Sequence, residues 1–449
     1  MSKTPFLSFY AFLLVVSISW SQTRYTIDVE LDVENQSLIV SQTITFQNPS
    51  EQSLSKIYLS DWGNSYQGTH SPLANHLANQ FNRSFYLKAK SKLGSTSIQE
   101  LQHAQKEVNW TRVENQLDLI EIELDDAIAP KQEITFSLRY VVKIPDDKFT
   151  GLGVNADNRY FLRNFFISLT PYRNNKWLLH SNLGLRDNSR LPSQYSVNWT
   201  YPNNYILTSN LDLVYNFNDT TKGLKNSKWN GTNVSSPDFI LDTENKFQSI
   251  LLDDGFTIVT DILPNKNTEV SLKASLEKIH QFVGTFLSPL DQKKLLVLRK
   301  DYAKNPLFGI TKAPSFLNLF SDAFVFETKF IKAYLASYLH ELFRIDKRKE
   351  HWIPGGIQTY VMMKYVETFY PDSKFLGTLN ELNFLGFRPF KGYSATQIGF
   401  NESFSFIYEW AEHGNRQQSD TLGREQFTKS NELINSPYHV GSGLFYLDQ

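Results

Sequence analysis

From Tyr25 onward the chain alternates apolar and polar residues with period two. Ile27, Val29, Leu31 and Val33 alternate with Thr26, Asp28, Glu30 and Asp32, and Leu38, Val40, Ile44 and Phe46 continue the pattern after Glu34-Asn35-Gln36. One apolar face, one polar face and a turn between them predict an antiparallel hairpin buried on one side. Residues 117–124, 134–142, 203–213 and 247–259 read as further short strands. The stretches between them, above all 216–237, are rich in Asn, Gly, Ser and Pro and read as turns. The pattern predicts an antiparallel β-sandwich over residues 22–262, with a helical patch near residues 72–80.

The period then changes. Leu272, Leu276, Ile279 and Val283 recur at helical spacing, residues 294–298 form a short apolar run, and residues 328–343 carry an apolar stripe at 3.6 periodicity. Pro354 is placed to open another helix, which Pro371 ends after Tyr370. Residues 263–449 are therefore read as an α-rich domain, with 443–449 as the first turn of a helix cut short by the end of the chain. A length of 449 residues suffices for two cores, and 41% hydrophobic with 20% charged residues describes a folded chain. A formal charge of −1 gives no electrostatic reason to expect nucleic acid or an anionic membrane as partner.

The first 21 residues read as a signal peptide: Lys3, an apolar run over 6–18, then Ser19-Trp20-Ser21 as a small-x-small cleavage site. No later run is long enough to span a membrane. The absence of cysteine excludes disulfides, a cysteine-anchored lipoprotein and thiolate zinc ligands. A bacterial periplasmic or cell-surface location is expected. The Asn-x-Ser/Thr sites at Asn198, Asn218, Asn230 and Asn233 would matter only in a eukaryotic secretory route.

Chemistry is concentrated at His340-Glu341-Leu342-Phe343-Arg344. A His-Glu-x-x-His helix turns two imidazoles to one face to grip zinc, with the glutamate as general base. Here Arg344 stands at the second histidine position, and a guanidinium has no lone pair to offer a cation. The plainer reading is an i,i+3 ion pair between Glu341 and Arg344. Two later segments bear on the choice: Trp352-Ile353-Pro354-Gly355-Gly356 and Pro437-Tyr438-His439-Val440-Gly441.

With these segments in order, the chain resembles the gluzincin zinc aminopeptidases of the membrane-alanyl aminopeptidase type. That resemblance implies a β domain followed by a thermolysin-like peptidase domain, with further domains beyond the point where this chain stops. It implies zinc as cofactor and a peptide or protein as substrate. It places Glu341 as general base, His340 as a zinc ligand, Gly355 where the third ligand should be a glutamate, and Tyr438 as donor to the oxyanion. The segment that holds the substrate's amine corresponds to residues 305–309 or 310–314, neither containing an acid.

With two of three ligands replaced, the preferred reading is a catalytically impaired pseudopeptidase that keeps a peptide-binding cleft, with Arg344 paired to Glu341 or another carboxylate. One alternative is an active zinc aminopeptidase with a remodelled site built from His340, His351 and Glu341 or Glu350. Another is a structural protein of the cell envelope. His413 and His439 have no recognisable ligand spacing.

Overall fold

The computed structural model describes residues 22–265, 269–307, 319–382, 387–388 and 390–449. The signal-peptide reading (1–21) and much of the amine-binding candidate stretch (308–314) lie outside them. The expected hairpin is formed by Arg24–Asp32 and Ser37–Gln47, paired antiparallel with Val29 opposite Val40 and Leu31 opposite Leu38. Tyr25, Ile27, Val29 and Leu31 are buried and Thr26, Asp28 and Glu30 exposed; each buried aliphatic side chain contributes roughly 1.5–3 kcal/mol.

The hairpin sits inside an eight-stranded sheet. Its order is Asp212–Asp219, Leu224–Val234, Ser193–Pro202, Arg24–Asp32, Ser37–Gln47, Glu133–Lys143, Ser95–His103, Lys106–Glu107. One join departs from the antiparallel expectation, because Arg24–Asp32 runs parallel to Ser193–Pro202. Two four-stranded sheets pack around the same core, which includes Ile27, Phe46, Tyr140, Trp199 and Phe239. The helical patch is α1 (Pro72–Asn79), capped by Ser71, whose Oγ accepts from the Ala74 N–H at 3.1 Å. A single turn, α2 (Ser84–Leu87), follows.

The stretch 216–237 is not a run of turns. It contains half of Asp212–Asp219 and all of Leu224–Val234, paired antiparallel across a bend at Gly223, whose φ of 67° suits glycine. Asp212–Asp219 is an edge strand whose residues are almost all exposed, so no face was buried enough to leave a period of two. In Leu224–Val234 only Ser227, Trp229 and Val234 point inward, and the polar residues between them masked the strand.

A second core is built on a three-stranded sheet of Gln248–Leu251, Thr257–Thr260 and Lys294–Val297. Its helices are α3 (Leu272–Gly284), α4 (Arg299–Lys304), α5 (Asp322–Leu342), α6 (Trp352–Phe369), α7 (Glu402–His413) and α8 (Ser436–Leu447). Glu327 on α5 is buried in this core. It accepts from Tyr365 and Tyr370 at 2.7 and 2.6 Å and pairs with Lys278 of α3, which ties three segments by one carboxylate. Residues 443–447 are the last turns of α8, not the first turn of a new helix. Among the described residues no helix is long and apolar enough to cross a membrane.

Gly356 of α6 and Gly441 of α8 let these two helices approach closely. A Cβ on Gly441 would collide with Thr359 Cβ and lie 3.0 Å from the Gly356 carbonyl oxygen, and one on Gly356 would lie 2.8 Å from Val440 Cβ. Gly443, two residues on, faces open space. Gly441→Ala is therefore expected to destabilise the protein by about 1–3 kcal/mol, whereas Gly443→Ala should be neutral or stabilise it by up to about 1 kcal/mol. Urea denaturation of both variants checks this contrast.

Candidate functional site

Ser337 and Glu341 lie one turn apart on α5 and share a face. With His340 they line a small polar cavity whose other walls include Arg163, Arg186, Asn210, Ser236 and Asp238 from the strand side. The cavity has about 20 Å³ of room for water centres, enough for a water molecule but not for an amino-acid side chain. Glu341 Oε2 accepts a hydrogen bond from the Ser235 N–H at 3.0 Å. Burial raises the pKa of this carboxyl, with the Ser235 N–H and Lys347 pulling the other way. Burial also holds the His340 imidazole well below its usual value, helped by the cations Lys347, Arg186 and Arg163. Lys347 donates from Nζ to the His340 carbonyl at 2.7 Å, and burial pushes its pKa down to about 7.

Two guanidiniums dominate the strand side. Arg163 ends the strand Tyr160–Arg163 and grips Asp238 on the neighbouring strand through Nε at 2.8 Å and Nη2 at 2.6 Å. The same guanidinium binds both carboxylate oxygens of Asp301 on α4, at 3.1 and 3.0 Å. Arg186 reaches Asp301 Oδ2 at 3.2 Å and donates to Ser337 Oγ at 3.3 Å. Next to this set, Arg348 donates to Asp187 at 2.6 Å, both side chains being buried. His180 meets Asp346 at 3.0 Å.

The expected metal-ligand geometry is not formed. Arg344 is not on the helix with His340 and Glu341: α5 ends at Leu342 and Phe343 is already extended. The following residues are drawn toward the strand side by the Lys347 and Arg348 bonds to Ser189 and Asp187. Arg344 is exposed and pairs with Asp291 at 2.9 Å rather than with Glu341, so it fills no vacancy beside His340. Gly355 lies in the first turn of α6 against Pro437, whose Cγ would be 3.2 Å from an added Cβ. A glutamate there would start out facing α8. His351, just before α6, is buried edge-on to Phe427 with ring centroids 4.5 Å apart. Burial, with Arg424 close by, pushes its pKa down to about 4. Glu350 is exposed and accepts from the Asp346 N–H. Tyr438 is buried on α8, edge-on to Phe404 at 4.8 Å. Neither His351 nor Tyr438 is among the cavity's lining residues. Among the described residues no three His, Asp or Glu side chains come together in a metal-binding group. The residues around His340 thus do not fit a zinc ion: the carboxylates of Asp238 and Glu341 are engaged by Arg163 and by the Ser235 N–H, and two guanidiniums line the space a dication would need.

The comparisons with known proteins bear on the fold. Two crystal structures of a mutant M1 zinc metallopeptidase from Deinococcus radiodurans match 95% of this chain and 85% of their own, at 11% identity. The TM-scores are 0.54 for the one bound to a Tyr-Ser-Ala substrate and 0.51 for the other. The fold is M1-peptidase-like. No protein-family model matches the sequence, and no curated protein does.

Arg163, Arg186, Ser235, Asp301 and Lys347 were not singled out by sequence reasoning. They come from five separate segments, so no local spacing marks them. Lys332 was missed as well. Two turns before His340 on α5, it is buried and donates to Asn305 Oδ1 and the Pro306 carbonyl at 3.2 and 3.3 Å, inside the stretch matched to the amine-binding segment. Burial pushes its pKa from the ordinary 10.5 down to about 7. Between those values the unfolded chain keeps a proton that the folded chain has lost, so this group makes stability rise with pH from about 7 to 10.5. Below pH 7 both states are protonated and the burial cost is felt in full. Lys332→Met is expected to stabilise the protein by roughly 1–3 kcal/mol at pH 6, with the gain shrinking toward pH 10. Urea unfolding at the two pH values reads this directly, and a gain that grew with pH would contradict it.

Proposed function

We propose that this protein is an exported, catalytically impaired relative of the zinc aminopeptidases that binds a peptide or protein without hydrolysing it. The observation that supports the non-hydrolytic part is the surroundings of His340 and Glu341. The second ligand position has left the helix, the third is a glycine packed on Pro437, and Arg163 and Arg186 line the cavity. A general base acts on a proton it can reach; Glu341 instead holds the Ser235 N–H. Binding of a peptide is inferred from the fold, since one solved neighbour carries a tripeptide substrate. The cavity at His340 takes no side chain, so a peptide reaching it must part the strand side from α5. Export rests on the reading of residues 1–21.

Tyr438 and Glu341 are vestigial in this account. The purified protein should hydrolyse aminoacyl fluorogenic substrates no faster than its Glu341→Gln variant, while a peptide array or fluorescence titration should detect binding in both. Aminopeptidase turnover abolished by Glu341→Gln would replace this reading with that of an active enzyme. No binding to any peptide, together with no turnover, would favour a structural protein of the cell envelope.

A further inference from the structure

The carboxylates at this site already have partners without a metal. Arg163 grips Asp238 and Asp301, Arg186 also binds Asp301, and Glu341 accepts from the Ser235 N–H. Asp301 belongs to α4 and Glu341 to α5, whereas Arg163, Asp238, Arg186 and Ser235 belong to the strand side. Each bond across this junction therefore joins the two cores. Arg186 is the member best placed to couple them: one guanidinium nitrogen holds Asp301 and another holds Ser337, a turn before Glu341 on the same helix face. A dication added here would sit beside two guanidiniums whose carboxylate partners are already engaged.

We propose that Arg186, with Arg163 beside it, does at this site the electrostatic work that a metal dication would otherwise do, so that the former catalytic end of α5 serves as a metal-independent charge lock between the two cores. The lock shares its site with the functional proposal, yet either can fail alone. Thermal stability and its response to metal read the lock, whereas peptide titration reads the function.

The test is thermal unfolding of the full chain. The Tm of the unmodified protein should be the same in chelator, in buffer and in excess Zn²⁺. Arg186→Met should lower it by roughly 3 °C or more. Arg186→Lys, which keeps the charge and loses only the fork geometry, should keep more than half of that difference. It also serves if the methionine variant does not fold. A wild-type Tm that falls on chelation, a methionine variant as stable as the parent, or a lysine variant as damaged as the methionine variant would each overturn the proposal.

Discussion

A single guanidinium held between two carboxylates sets how the two halves of this molecule meet. Arg163 is 11% exposed and grips Asp238 from its own sheet and Asp301 from α4. Removing one partner of such a buried set strands a charge, at a cost of about 3–5 kcal/mol. Other bonds follow the same seam: Lys300 to Asp147, Arg348 to Asp187, His180 to Asp346, and the Ser235 N–H to Glu341. Beside these bonds a small apolar cluster of Phe161, Ile240, Val259, Leu296 and Leu298 also spans the seam, and together they hold α5 in the orientation that directs His340 and Glu341.

That orientation changes what the His-Glu pair can do. In a peptidase site the pair needs further donors around one point and room for substrate. Here the helix stops short of Arg344 because the chain after Leu342 is drawn to Ser189 and Asp187. The α6 end, where the family pattern sets a third donor, is closed against α8 through Gly355, Gly356 and Gly441. Close packing and ion pairing have taken over positions that the sequence pattern associates with metal chemistry.

Much of the fold was legible in the sequence. The period-two run from Tyr25 yielded the hairpin, the 3.6-period stripe yielded most of α5, and Pro354 and Pro371 bracketed α6 to within two residues. The edge strand Asp212–Asp219 was not legible, since exposure on both faces leaves no alternation to read. The parallel join of Arg24–Asp32 to Ser193–Pro202 was also hidden, because it pairs residues that are far apart in sequence. At the site, His340 and Glu341 stood out by motif. The position of Arg344 was misjudged by extending α5 two residues past Leu342, as the His-Glu-x-x-His pattern invites when no glycine marks the end. The residues that neutralise the site could be found only once the chain was folded.

Elemental analysis of the full-length protein, expressed in zinc-replete medium and purified without chelator, tests the central claim most directly. The account predicts far less than one zinc per chain, unchanged by His340→Ala. One zinc per chain, lost on that substitution, would contradict it.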